Sequence, residues 1–284
     1  MTSKYRTEPQ VKFKAFRDLE KRRAEASDTV WALLVGSKLA VQTLADVPNQ
    51  KVLLADQYPD LAHVQRMNQR LDRAGQLLSE AEREACTMAL NFTFGLHEDF
   101  VKSCIRLLVP LGKASNRVAN SNSNIIHEEF ATATSHPMDT DALALFHLTR
   151  KIRNAYTHAA GLVREGLVEH YESLTTTQRE TWSALTCEPF RVPSLGESAS
   201  LGVPGLTGAL AVQKRLAYDV NLGLQNVIPR DAWADIAVGD YIEENGKLPR
   251  DTSALRKVRG YLRGGYQALK LTNAELVAAI ERRK

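Results

Sequence analysis

The chain has 284 residues, 44% hydrophobic and 25% charged, with 37 basic against 33 acidic side chains and a net charge of +4. That is enough to bury one large or two modest cores, and it excludes a disordered, collagen-like or disulfide-stapled chain. The three cysteines, Cys86, Cys104 and Cys187, lack metal-ligand spacing and point to buried thiols in a reducing, cytoplasmic setting.

Residues 1–26 mix charges densely, with Lys12, Lys14, Arg17, Lys21, Arg22 and Arg23 against Asp18, Glu20 and Glu25. They read as a solvated helix or a partly ordered arm, without the apolar core of a signal peptide. Ser27-Asp28 offers an N-cap, and Trp31, Leu34, Leu39 and Val41 suit a packed helix ending before Pro48. The apolar run from Val30 to Val41 is broken by Gly36, Ser37 and Lys38 and is too short to span a bilayer, so no membrane partner is expected. Pro59-Asp60 restarts a helix whose stripe Leu61, Val64, Met67, Leu71 and Leu77 runs to about residue 78. Ser79-Glu80-Ala81-Glu82 has the form of a capping box opening the next helix, which ends at Pro110. Phe92, Phe94, Phe100 and Leu107 on it read as core.

No metal is assigned to His97-Glu98-Asp99, which has no second histidine at i+4, and no cofactor motif occurs. His127, Glu128 and Glu129 are adjacent and point in different directions. Between Asp99 and Glu128 there is no acid, while Lys102, Arg106, Lys113 and Arg117 occur, followed by an Asn/Ser-rich loop. This basic helix end either contacts a phosphate backbone or is a plain surface connection. A short helix begins at Ile125-Ile126-His127, and Pro137-Met138-Asp139-Thr140 leads into the next, capped by Asp139 or Thr140.

From Asp141 to Leu174, the residues Leu145, Leu148, Ile152, Ala155, Ala159 and Leu162 recur at three- and four-residue steps, the mark of one buried helix face. A second stripe carries Arg150, Asn154, Thr157, His158 and Gly161, with Arg153 on its flank. Asn154 and His158 stack one turn apart.

A short helix around Trp182 follows, and then a Pro/Gly/Ser-rich stretch to about residue 205 marks a domain boundary or a long surface loop. Its Phe190, Val192, Leu195, Leu201 and Val203 suit packing over a bundle. Leu206 to Leu224 is apolar at helical spacing, Pro229 to Trp233 starts a helix and Asn245-Gly246 stops it. Between Asp251 and Leu271 lie Arg256, Lys257, Arg259, Arg263 and Lys270 with Tyr261 and Tyr266, and no acid occurs from Thr252 to Ala274. Arginine interleaved with tyrosine grips phosphates and stacks on unpaired bases; the alternative is a basic helix with its tyrosines packed inward. Few segments alternate as strands do, so the fold class is all-α.

The segment Arg153-Asn154-Ala155-Tyr156-Thr157-His158 resembles the Arg-Asn-x3-His motif of the HEPN family (higher eukaryotes and prokaryotes nucleotide-binding), over residues 60–175 at most. The same loose pattern occurs at Arg164 and His170, but without the Asn after Arg and the small residues after His. The resemblance implies a HEPN-like helical bundle with additional N- and C-terminal helices. Its parts would be residues 1–59 as an N-terminal helical extension, 60–175 as the bundle, 176–205 as the Pro/Gly/Ser-rich connection and 206–284 as a C-terminal helical region. It further implies a metal-independent endoribonuclease with a composite site across a homodimer. Arg153, Asn154 and His158 would be catalytic, and a toxin or antiviral-defence role would bring an inhibitory or activating protein partner. Imidazole titrates near neutrality and serves as acid or base, and a guanidinium fork matches phosphate oxygens. RNA contacts are expected from Arg150, Lys102, Arg106, Arg256, Arg259, Arg263 and Tyr261. A non-catalytic helical module that binds RNA or a regulatory partner is the open alternative.

Overall fold

A computed structural model describes residues 9–159, 161–249 and 253–283. The described residues form eleven α-helices: α1 Lys14–Ala45, α2 Leu54–Gln57, α3 Leu71–Leu108, α4 Ile126–Thr134, α5 Thr140–His158, α6 Glu165–Ser173, α7 Thr176–Thr186, α8 Val203–Val227, α9 Arg230–Asn245, α10 Ala254–Leu262 and α11 Asn273–Glu281. Two isolated β-bridges, Leu53 with Arg70 and Leu162 with Ser198, are the extended pairing among them, so the class is all-α. No helix among the described residues is long and apolar enough to cross a membrane.

Two expected helix starts lie inside longer helices. Ser27 and Asp28 fall within α1, where Thr29 instead donates its hydroxyl to the Glu25 carbonyl at 2.8 Å. Ser79 falls within α3 and donates to the Gly75 carbonyl at 3.0 Å. A hydroxyl that can cap can equally bond the i−4 carbonyl, and the chain before each of these positions is itself helical. Residues 58–70, expected as helix, hold a 3-10 turn at Val64–Arg66 and little else that is regular. The start of α5 is as expected, with Asp139 Oδ1 accepting from the backbone N–H groups of Asp141 and Ala142 at 3.1 and 3.0 Å. Its end comes earlier than the apolar spacing predicts: the helix stops at His158, and Gly161 takes φ +72°, a left-handed conformation suited to glycine.

The chain divides into two compact units, one built from the described residues up to Arg22, Gly95–Phe146 and Ala211 onward, the other from Arg23–Phe94 and His147–Leu210. The first unit is centred on aromatic rings. Phe13 packs on Trp233 and Phe100 at centroid distances of 5.8 and 6.2 Å, and Phe16 on Phe100 and Tyr218 at 5.8 and 5.7 Å. Of the two expected readings, a solvated helix or a partly ordered arm, the described part of the N-terminal stretch is helix from Lys14, and its first turns are seated in the core. Val11, Phe13, Phe16 and Leu19 are all buried, because the three- and six-residue steps from Phe13 put one apolar stripe among the charges. The backbone ahead of α1 is tied down as well: Lys12 donates to the Gly265 carbonyl at 2.6 Å, and Val11 exchanges hydrogen bonds with the buried Asn221 amide.

In the second unit Leu44, Leu71 and Ala74 form a core with Val47, Val52, Leu54, Tyr58 and Leu78 around it. Gln50 donates to the Leu44 and Val47 carbonyls at 2.9 and 2.6 Å, closing the C-terminal end of α1. The Pro/Gly/Ser-rich stretch is tied back at residues 196–199 and buries Ala199 and Leu201, whereas Leu195, expected to pack, is 60% exposed. Val163 donates to the Glu197 carbonyl at 2.9 Å, Gly196 to Val163 at 3.1 Å and Ala199 to Gly161 at 2.7 Å. Cys86 and Cys104 are buried as expected, and desolvation raises both thiols, that of Cys86 to about 11. Cys187 is exposed, because it sits in the left-handed position that ends α7.

The N-terminus of α11 carries a pH-dependent fastening. Arg230 grips Glu275 through two bonds of 2.7 and 2.9 Å, while Glu275 also accepts from Thr272 in a capping box. These bonds, the Arg230 pair foremost, hold the Glu275 carboxyl down at about 2. A depressed carboxylate contributes stability above its unfolded value of roughly 4.3 and loses it as pH falls toward the folded value. The melting-temperature gap between wild type and Glu275→Gln should therefore be full near neutral pH and narrow between about pH 4 and pH 2. A gap that stays constant over that range would show that the carboxylate's charge is irrelevant to stability.

Candidate functional site

The candidate site occupies the last three turns of α5, within the second unit. Leu148 and Ile152 are buried and hold one face of the helix, which leaves the opposite stripe half-buried to exposed. On that stripe Arg153 Nη1 donates to Asn154 Oδ1 at 2.9 Å, so the guanidinium and the amide form one joined polar group. The Asn154 NH2 group is left to serve as a donor, and His158 lies one turn further along the same face, exposed at the helix end. Asn154 and His158 thus share one strip, and Arg153 stands on its flank, joined to it through the Asn154 amide, with the imidazole open to solvent.

The surroundings hold this helix end in place. Tyr156 donates its hydroxyl to the Glu84 carboxylate of α3, and that bond raises the phenol above its ordinary range. Lys151 donates to the Gly166 carbonyl at the start of α6 at 3.0 Å, and Thr157 donates back to the Arg153 carbonyl at 2.9 Å. The competing pair fits less well. Arg164 stands in extended backbone ahead of α6, and His170 is half-buried within that helix, so no common helix face presents them together.

The other expected contact residues are dispersed. Arg150 is half-buried, and its Nε donates to His147 Nδ1 at 3.3 Å. In the first unit, Lys102 is held by Glu98 in an i,i+4 ion pair, whereas Arg106 is exposed in the last turn of α3. Arg256 and Arg259 on α10, and Arg263 immediately after its end, are exposed. Tyr261 turns away from them: its ring packs under the Arg17 guanidinium at 5.3 Å, and its hydroxyl accepts from the same group.

One polar feature escapes linear reading. His97 and His127, on α3 and α4, meet through their Nε2 atoms at 2.9 Å, with both side chains fully buried beside Phe100 and Phe146. Such a contact holds a single hydrogen, with one ring donating and the other accepting. Each histidine occupies an apolar-stripe position of its own helix, which was the only signal available. Among the described residues no group of three His, Cys, Asp or Glu side chains converges to hold a metal. Compared with family models, curated proteins and solved structures, the chain matches none.

Proposed function

We propose that the chain is a metal-independent endoribonuclease of HEPN type, with Arg153, Asn154 and His158 as its catalytic strip and two copies completing the site. The observation that carries this is the joined Arg153–Asn154 pair one helical turn from an exposed His158. In the reaction the imidazole of one copy takes the proton of a ribose 2′-hydroxyl, whose oxygen attacks the adjacent phosphorus. The bond from phosphorus to O5′ breaks, and the imidazolium of the second copy protonates the departing oxygen. Arg153 neutralises charge growing on the phosphoryl oxygens, with Asn154 holding the fork in position. The products are a 2′,3′-cyclic phosphate and a 5′-hydroxyl. Since the nucleophile belongs to the substrate, the chemistry needs no metal-bound water.

The test is cleavage of mixed RNA in EDTA by wild type and His158→Ala, with the product ends identified. Wild type should leave cyclic phosphate or its opened form. His158→Ala should lose roughly 10²- to 10⁴-fold in rate while still binding RNA. Equal cleavage by both proteins would remove His158 from the mechanism. Salt-sensitive RNA binding without cleavage by wild type would instead favour a non-catalytic binding module.

A further inference from the structure

We infer that a second copy of the chain docks on the outward face of α1, along the stretch from Trp31 to Leu39 in the second unit. Only a narrow stripe of α1 is used here within the protomer. Val30, Leu34 and Leu44 are buried, and Ser37 donates to the Leu78 carbonyl of α3 at 2.7 Å. The remaining surface is apolar as well. Trp31, Leu33, Val35 and Leu39 are each more than half exposed, and no charged residue occurs from Thr29 to Ser37. A helix that is apolar all round belongs in an enclosed place, and the protomer encloses one side of this one. These four exposed side chains crowd into nine consecutive positions, whereas Ile125, Leu162, Leu195 and Val277 stand singly.

The patch continues onto α3. Ala40 and Leu77 line the same cavity, and steps of seven and eleven residues return to one side of a helix, so Leu33 and Met88 share that side. Met88 and Phe92, one turn apart, are again more than half exposed. Taking roughly 150–200 Å² for a free side chain of this size, the six together offer roughly 600 Å². That is most of the about 800 Å² that each partner buries in a stable interface of standard size.

The face is complementary to itself, which is why the partner is a second copy. Trp31, Val35 and Leu39 form a ridge at four-residue steps, and Ala32, Gly36 and Ala40 form a shallow row beside it at the same steps. A two-fold axis near Gly36 sets the ridge of each copy into the shallow row of the other. Such an axis also brings like groups opposite one another, and an uncharged stretch meets its own copy without repulsion. A Cβ on Gly36 would meet nothing within 4 Å, so nothing inside the protomer calls for glycine there, whereas a close crossing of two backbones does. A lipid surface fits less well. Lys38 is the one cation between Arg23 and Lys51, and it lies 3.8 Å from Glu82, so α1 lacks the basic flank of a membrane-surface helix. The inference uses no residue of α5 and goes beyond the activity proposed there.

The experiment is sedimentation and light scattering of the full chain, with circular dichroism to check folding. It reads mass and not cleavage, so it can fail separately from the nuclease reading. Wild type should have twice the protomer mass of 31.6 kDa. Val35→Glu and Val35→Lys should each lose at least about 10-fold in self-affinity with helix content unchanged, because like charges then meet across the axis. An equimolar mixture of the two should recover the dimer, since opposite charges now face each other. Gly36→Gln should also dissociate the dimer, although the protomer has room for the added side chain. Wild type that stays monomeric up to about 100 μM would overturn the assignment. So would undiminished dimers of Val35→Glu, a mixture that stays monomeric, or monomeric wild type that binds phosphatidylcholine vesicles.

Discussion

Gly265→Ala is expected to lower the unfolding free energy of the first unit by about 3 kcal/mol, combining overpacking with a lost hydrogen bond. A Cβ at this position would overlap the Lys12 carbonyl oxygen, and it would stand 3.0 Å from Arg17 Nη1 and 3.3 Å from the Lys12 carbonyl carbon. The obstacle is backbone, which cannot swing aside as a side chain can. Lys12 also donates to the Gly265 carbonyl at 2.6 Å, and Arg17 donates to the Lys12 carbonyl, so the two strands of chain are fastened at the point of conflict. Relieving the overlap means lifting the segment that seats Val11 and Phe13, both buried. Gly264→Ala is the matched control, since its nearest neighbour is the Tyr261 carbonyl at an ordinary 3.5 Å. Urea unfolding of the three proteins decides it: Gly265→Ala within about 0.5 kcal/mol of Gly264→Ala would mean the contact is soft.

Asn221→Ala should cost a comparable amount, about 3 kcal/mol, for a different reason. Asn221 is fully buried in α8, and its side-chain amide pairs with the backbone of Val11 as a neighbouring strand would. Oδ1 accepts from Val11 N at 3.3 Å, Nδ2 donates to Val11 O at 2.7 Å, and Gln225 donates to Oδ1 at 2.9 Å. Truncation leaves a buried N–H and a buried C=O without these partners, each worth about 1–3 kcal/mol. Asn221→Asp sharpens the test. At neutral pH it places a charge in the core and faces an acceptor toward the Val11 carbonyl. Once protonated, the carboxyl regains a donor, so burial raises its pKa and the variant should recover stability as pH falls. A loss for Asn221→Asp that grows on acidification, relative to wild type, would contradict this account.

Both positions illustrate what a linear reading misses. Phe13, Phe16 and Leu19 were visible as residues but were outweighed by the charges between them. Many of those charges have partners that make the face less solvated than it reads: Lys14 bonds Asp18 and Glu243, and Arg17 bonds Glu244. Partners more than two hundred residues away leave no trace in local composition.

Capping shows the same division. Asp139, Pro229 and Gly246 mark helix ends as expected, because each acts through its own backbone or its nearest neighbours. Ser27-Asp28 and Ser79 carry equally good local signals and lie mid-helix. Whether a hydroxyl caps or bonds back to i−4 depends on whether the preceding residues gain more by packing as helix.

The candidate strip was legible because Asn154 and His158 lie one turn apart on one helix with Arg153 on the flank, an arrangement that spacing alone sets. The basic run from Arg256 to Arg263 was legible as charge, but not as a surface: only packing decides that Tyr261 sits under Arg17 and Tyr266 is buried while Arg256, Lys257, Arg259 and Arg263 stay exposed. Periodicity and composition were sufficient for the all-α class, because a 3.6-residue stripe is a property of the chain itself. Helix continuity, the seating of the N-terminal stretch, the meeting of His97 with His127 and the choice of which cations remain unpaired came from tertiary structure. Each depends on groups far apart in sequence competing for the same buried space and the same hydrogen-bond partners.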